Sequence, residues 1–186
     1  MQEKVSPDDW RDGGTRMSKG RRLAAEVGDL LRRRRETVAL AESCTGGLVS
    51  AAMTSVPGSS DYVWGGVTAY SAAAKQTMLE LESSVLARHG TVSRETTEAL
   101  AVAVRSISEA TYGMAVTGWA GPDGGTEVDP VGTVYVALAA ARGCETRRLC
   151  LDGHRMEIRE RAVRAALEWL RDELLGEDRS GEETGR

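Results

Sequence analysis

The chain of 186 residues contains no phenylalanine, and aromatic residues make up only 4% of it. Leu, Val and Ala therefore have to build the core. Three cysteines are present, Cys44, Cys144 and Cys150, and no two form a Cys-x-x-Cys pair. An odd, sparse set argues against a disulfide framework and for a reducing compartment. With only two histidines, His89 and His154, a zinc site is not expected, and no metal or cofactor is assigned. The formal net charge is −4, so no general basic field draws nucleic acid. The exception, Arg32-Arg-Arg-Arg35, reads as a solvated helix end whose cations complement the helix dipole. The N-terminus lacks an apolar signal core, and no run approaches membrane-spanning length. A cytoplasmic protein without a membrane partner is expected. Neither Gly-x-Gly-x-x-Gly nor a Gly-Lys-Ser/Thr phosphate loop occurs.

What is present is one continuous pattern between two polar ends. Residues 1–18 and 176–186 read as disordered tails around a single domain over 19–175. Leu23, Val27, Leu30 and Leu31 recur at helical spacing. Strands are predicted near residues 37–41, 62–70, 113–117 and 132–139, and the last turns back at Arg142-Gly143 into a hairpin partner over 146–151. Ser71 and Ser93 are placed to cap helices, and Ile158, Ala162, Ala165, Trp169 and Leu170 mark a last long one. Helices alternating with strands, plus one hairpin, predict a layered α/β fold with a mixed sheet.

The most informative stretch is Ala41-Glu42-Ser43-Cys44-Thr45-Gly46-Gly47. It leaves an apolar run and opens a helix of small residues, so two hydroxyls and a thiol sit on a strand-to-helix turn. Helix N–H groups at such a turn attract anions and can stabilise an oxyanion. Ser43 is either a nucleophile there or a helix cap. Cys44 is a rival nucleophile, but neither histidine stands at a diagnostic spacing from it, so a packing role is preferred. Tyr70, Lys75 and Thr117 also lie at or just past strand ends, where α/β sites assemble. A desolvated Lys75 would serve as a neutral base for Ser43; the alternative is a solvated helix lysine. Tyr70 and Lys75 are five apart, which does not match the Tyr-x-x-x-Lys dehydrogenase pair. The loop Gly118 to Gly125 could cradle a phosphate. Asp123 and Glu127 are read as turn residues in preference to metal ligands. Arg155 is either an anion partner or a surface residue opening the last helix.

Together these segments resemble the CinA C-terminal domain family. The resemblance is carried by Ala41–Gly47, Val56-Pro-Gly-Ser59, Tyr70-Ser71 with Lys75, His89-Gly-Thr-Val-Ser93, Thr117-Gly-Trp-Ala-Gly-Pro-Asp-Gly-Gly125 and Pro130-Val-Gly-Thr-Val134, in that order. It covers about residues 20–174. It implies a three-layer α/β/α sandwich with a mixed, mainly parallel sheet, often dimeric. It also implies a stand-alone, PncC-like amidohydrolase that turns nicotinamide mononucleotide and water into nicotinate mononucleotide and ammonia. Full-length CinA proteins carry a further N-terminal domain, for which this chain has no room. The carry-over makes Ser43 the nucleophile, Lys75 its base and Tyr70 an assistant. Thr45, Gly46 and Gly47 would supply donors around the amide; Thr117, Gly118, Gly121 and Arg155 would contact a pyridine nucleotide. The family usually reads Thr-Tyr-Ser-Asn-Glu-Ala-Lys, whereas here Ala69 precedes Tyr70, and Ala72 and Ala73 replace Asn and Glu. These departures leave a second expectation open, a nucleotide-binding module that has lost catalysis.

Overall fold

An apolar run without alternation can be buried on both faces, and β1 (Val38–Glu42) is buried at every position. The structure, a computed structural model, describes residues 16–183, with side chains described over 21–176. β1 lies inside a five-stranded sheet of order β2-β1-β3-β4-β5, formed with β2 (Val63–Thr68), β3 (Tyr112–Gly118), β4 (Thr133–Ala140) and β5 (Gly143–Cys150). β1 is parallel to β2 and to β3, whereas β3–β4 and β4–β5 are antiparallel. Four strands thus share one direction and β4 alone opposes them, which is the mixed, mainly parallel sheet expected.

Side-chain alternation divides the core between two helical layers. On one face Val38, Leu40, Met114, Val116, Val136 and Leu138 pack against α1 (Arg16–Arg34), α2 (Leu48–Thr54) and α6 (Arg155–Glu183). On the other face Ala39, Ala41, Ala115, Ala137 and Ala139 meet α3 (Ala72–Leu79), α4 (Ser83–His89) and α5 (Arg94–Ser108). Small residues there let α5 lie close to the sheet. Gly113 makes the closest approach: a Cβ at that position would stand 2.2 Å from the Ala101 carbonyl oxygen. Large aliphatics on one face and alanines on the other supply the core that phenylalanine does not.

The expected caps form. Ser71 Oγ accepts from Ala74 N–H at 3.1 Å, and Ser93 Oγ from Thr96 N–H at 3.1 Å. The ends differ from expectation. α1 begins at Arg16 and α6 runs on to Glu183, so residues 16–18 and 176–183 are helical rather than tail. A packed helix extends one residue at a time, and Glu and Arg propagate it well. The remaining tail residues lie outside those described. Among the described residues, no helix is long and apolar enough to cross a membrane.

Candidate active site

Parallel pairing brings three strand ends to one edge. Glu42 pairs with Thr68 of β2 and with Val116 of β3. The next residues continue the register: Ala69 N–H donates to the Glu42 carbonyl at 2.9 Å, and Ser43 N–H to the Val116 carbonyl at 2.9 Å. The connection from β1 to β2 runs over one face through α2. The connection from β2 to β3 runs over the other through α3, α4 and α5. The strand order therefore reverses at β1, where open α/β sheets form their crevice.

Ser43 and Lys75 meet in that crevice. Lys75 lies in the first turn of α3, only 1% exposed, and its Nζ donates to Ser43 Oγ at 3.2 Å and to the Ala69 carbonyl at 3.0 Å. Desolvation holds its pKa below the ordinary lysine value, against a smaller opposing effect from Cys44. Burial pushes the Cys44 thiol up to about 11, with Glu42 adding to the rise and Arg159 opposing it. Cys44 is thus a protonated thiol at neutral pH and part of the core, as its packing role predicts.

The turn itself is held from three sides. Glu42, 2% exposed, accepts from Gly47 N–H at 3.0 Å, Val49 N–H at 3.1 Å, and Ser50 N–H and Oγ–H at 2.8 and 2.7 Å. Its carboxylate caps α2 and occupies the anion site that the helix end offers. From α6, Arg159 donates to the Cys44 and Thr45 carbonyls at 3.0 and 2.7 Å. Gly46 and Gly47 take φ of 60° and 93°, a conformation that favours glycine.

A cavity of about 360 Å³ opens beside Ser43 and Lys75. Tyr70, Gly118, Gly121 and Arg155 line it, together with Ser71, Ala72, Thr91, Val92, Trp119, Ala120 and Asp123. Arg155 donates to the Gly121 carbonyl and to the Tyr70 hydroxyl, both at 2.7 Å. The Tyr70 hydroxyl is therefore held by Arg155 and not by the Ser43–Lys75 pair.

Four expected contributors are elsewhere. Thr117 is fully buried, and its hydroxyl bonds that of Thr97 at 2.6 Å. Thr45 is also fully buried and does not line the cavity. Gly46 and Gly47 are not free donors: Gly46 N–H bonds the Ser43 carbonyl at 3.0 Å, and Gly47 N–H bonds Glu42. They serve the turn's shape. Asp123 does not make the turn bonds expected of it; Thr126 and Asp129 make them instead, with Asp129 N–H donating to Thr126 Oγ1. Glu42 and Arg159 went unnoticed because their partners are carbonyls and amides, which carry no sequence signal. Thr91 and Val92 had a signal in the His89–Ser93 motif.

Comparison with known proteins shows the family and the fold. The model of the CinA C-terminal domain matches residues 20–174. A CinA-like protein of Myxococcus xanthus is 51% identical over 154 residues, covering 82% of this chain and 36% of that protein. A CinA-like protein of Geotalea uraniireducens is 45% identical over 156 residues, covering 84% and 37%. The chain thus spans little more than a third of the length of these relatives. Among solved structures, the competence damage-inducible protein A of Klebsiella pneumoniae superposes with a TM-score of 0.81 at 33% identity, covering 84% of this chain and 97% of that one. The competence/damage inducible protein of Agrobacterium tumefaciens gives 0.79 at 36% identity, covering 84% and 94%. The chain belongs to the CinA C-terminal domain family.

Proposed function

We propose that the protein is a nicotinamide-nucleotide amidohydrolase acting through a Ser43–Lys75 pair. One observation carries this reading: a buried lysine with a lowered pKa donates to a serine hydroxyl at the mouth of a cavity. A lysine that holds no proton at working pH can accept one. Lys75 takes the Ser43 proton as Oγ bonds to the carboxamide carbon. The C–N bond then breaks, and Lys75 returns the proton to the departing ammonia. Water next attacks the acyl carbon and gives a proton to Lys75; the bond from that carbon to Ser43 Oγ breaks, Lys75 returns the proton to Oγ, and the nicotinate product leaves with Ser43 and neutral Lys75 restored.

Gly46 and Gly47 N–H are occupied, and we assign the oxyanion to the amide that follows the nucleophile, Cys44 N–H, which no backbone carbonyl engages among the described residues. One such donor is worth roughly 3 kcal/mol of barrier. Arg155 supports the nucleotide phosphate, and Tyr70, held by Arg155, forms the wall beside it. No step requires a metal. The same proposal places the enzyme in the cytoplasm as a homodimer; a solution mass of a single 19.9 kDa chain would remove the second element.

Ala72 in the cavity wall, where the family pattern that the chain resembles has asparagine, favours the second reading, a nucleotide-binding module without turnover. Ammonia release from nicotinamide mononucleotide decides between them. Release by the native chain, absent from Ser43→Ala, supports the amidase. A rise in melting temperature with nucleotide but no ammonia supports the binding module.

A further inference from the structure

The cavity carries a fixed negative charge that the reaction above does not use. Asp123 lies in its wall, on the loop joining β3 to β4. Among the described residues, no hydrogen bond or ion pair engages its carboxylate. Asp129, in the same loop, is the opposite case. Its oxygens accept from the Tyr135 hydroxyl at 3.0 Å and from Arg148 Nε at 2.9 Å. Of the loop's three acids, Asp129 is spent on structure, whereas Asp123, in the cavity wall, carries no such bond among the described residues.

The loop holds that acid in place. Trp119 N–H donates to the Thr133 carbonyl at 2.9 Å, and Gly132 N–H returns to the Trp119 carbonyl at 2.7 Å, which closes the base. Thr126 N–H donates to the Asp129 carbonyl at 2.8 Å further out. Arg155 grips the Gly121 carbonyl two residues before Asp123. Among the described residues, Arg155 has only a carbonyl and a phenol as partners, so neither charge of the wall is neutralised by the other's side chain. A ligand carrying an anionic end and a cationic body answers both.

We propose that Asp123 is a specificity residue that selects the positively charged, oxidised pyridinium ring over uncharged rings bearing the same carboxamide. The inference rests on the amidase reading. In an oxidised nicotinamide nucleotide the charged ring nitrogen lies two ring bonds from the carbon bearing the carboxamide. A carboxamide seated at Ser43 therefore brings that charge into the cavity. An unpaired carboxylate in the wall raises the local preference for a cation, and reduction of the ring to the dihydropyridine abolishes the charge while keeping ribose and phosphate.

The test is titration calorimetry of nicotinamide mononucleotide and its reduced form against Ser43→Ala, with and without Asp123→Asn. Asparagine keeps the shape and one acceptor oxygen and removes only the charge. Asp123 is exposed and unpaired, so an unchanged melting temperature is expected. The oxidised nucleotide should bind about three- to fivefold more weakly to the double variant, and the reduced form within about twofold of its parent, as suits an exposed charge pair. The difference should shrink in about 0.5 M salt. Equal weakening of both nucleotides, or of neither, would overturn the proposal while ammonia release by the native chain leaves the amidase reading standing. No binding of either nucleotide together with no ammonia release would overturn both.

Discussion

Lys75 makes the chemistry and the stability depend on the same proton. Its folded-state pKa lies below the ordinary value of 10.5, with burial the main cause. Between the lowered pKa and 10.5 the unfolded chain holds this proton and the folded chain does not. Stability therefore rises with pH across that window, by at most about 1.4 kcal/mol per pH unit from this one group. Below the folded pKa both states are protonated and the full penalty is present. Lys75 is 1% exposed, so solvent screening does not dilute the effect. Cys44 works in the other direction. Its thiol ionises near 9.0 when unfolded and near 11 when folded, so it lowers stability as pH rises between them. The clean comparison uses a Cys44→Ala background, with and without Lys75→Met. Urea unfolding from about pH 6 to about pH 10 gives the two profiles. The lysine-bearing protein should gain stability relative to its Lys75→Met partner as pH rises, and kcat/KM of the native chain should climb with the same midpoint. Parallel stability profiles would show that Lys75 keeps its proton when folded, and the neutral-base mechanism would fail. A rate limb well displaced from the stability midpoint would give the base role to another group.

Arg159→Met removes two charge-assisted bonds to the nucleophile turn and should cost about 1.5–3 kcal/mol of stability. Its kcat should fall with KM little changed, and Arg159→Lys should restore only part because it lacks the fork; a rise in KM alone would assign Arg159 to substrate binding. Glu42→Gln replaces a carboxylate that accepts four bonds and should destabilise by about 2–4 kcal/mol in urea titration; an unchanged midpoint would show that α2 does not need this cap. Gly113→Ala should cost about 2 kcal/mol or more by forcing α5 off the sheet, whereas Gly65→Ala, with open space around it, should be nearly neutral. Thiol labelling of the folded protein should reach exposed Cys150 first and buried Cys44 last; early modification of Cys44 would contradict its raised pKa.

The parts legible in the sequence were those that rest on local rules. The β1 run, the serine caps of α3 and α5, and the hairpin each follow from a few adjacent residues, although the hairpin turn is Ala141-Arg142 and Gly143 already opens β5, three residues before the expected start. The meeting of Ser43 with Lys75 is implied by the family resemblance; on the residues alone a solvated helix lysine stays open, because the two lie 32 positions apart. What escaped rests on long-range partners. Arg159 lies over a hundred positions from the carbonyls it holds, and a carbonyl looks the same after any residue. Glu42 lies inside the motif, yet its role depends on α2 folding back over its own side chain. The resemblance implies that Gly46 and Gly47 are donors, yet glycine at a helix start serves the shape of a turn equally well; their positive φ and occupied amides separate the two. Thr117 was placed correctly along β3, but strand alternation turns its side chain towards α5 and Thr97.

Within the turn, anchoring and chemistry fall on different atoms, and Ser43→Ala separates them. The Ser43 main chain is tied to Val116, Glu42 holds α2, and Arg159 holds the two carbonyls that follow. Of the turn's two hydroxyls, that of Ser43 has one bond, to Lys75, and that of Thr45 is buried with none among the described residues. If Lys75 is neutral, its amine keeps the Ala69 carbonyl when the Ser43 hydroxyl goes, so no buried charge is stranded. The loss is then about 1 kcal/mol or less, a shift of about 2–4 °C in melting temperature for a chain of this size. If Lys75 is an ammonium, losing one of its two acceptors inside the fold costs about 2–3 kcal/mol or more. Calorimetric scans of Ser43→Ala at neutral pH therefore read the protonation of Lys75 without any substrate. A small shift with no ammonia release supports the proposed base; a large destabilisation would mean that the lysine is charged and that Ser43 is there to solvate it.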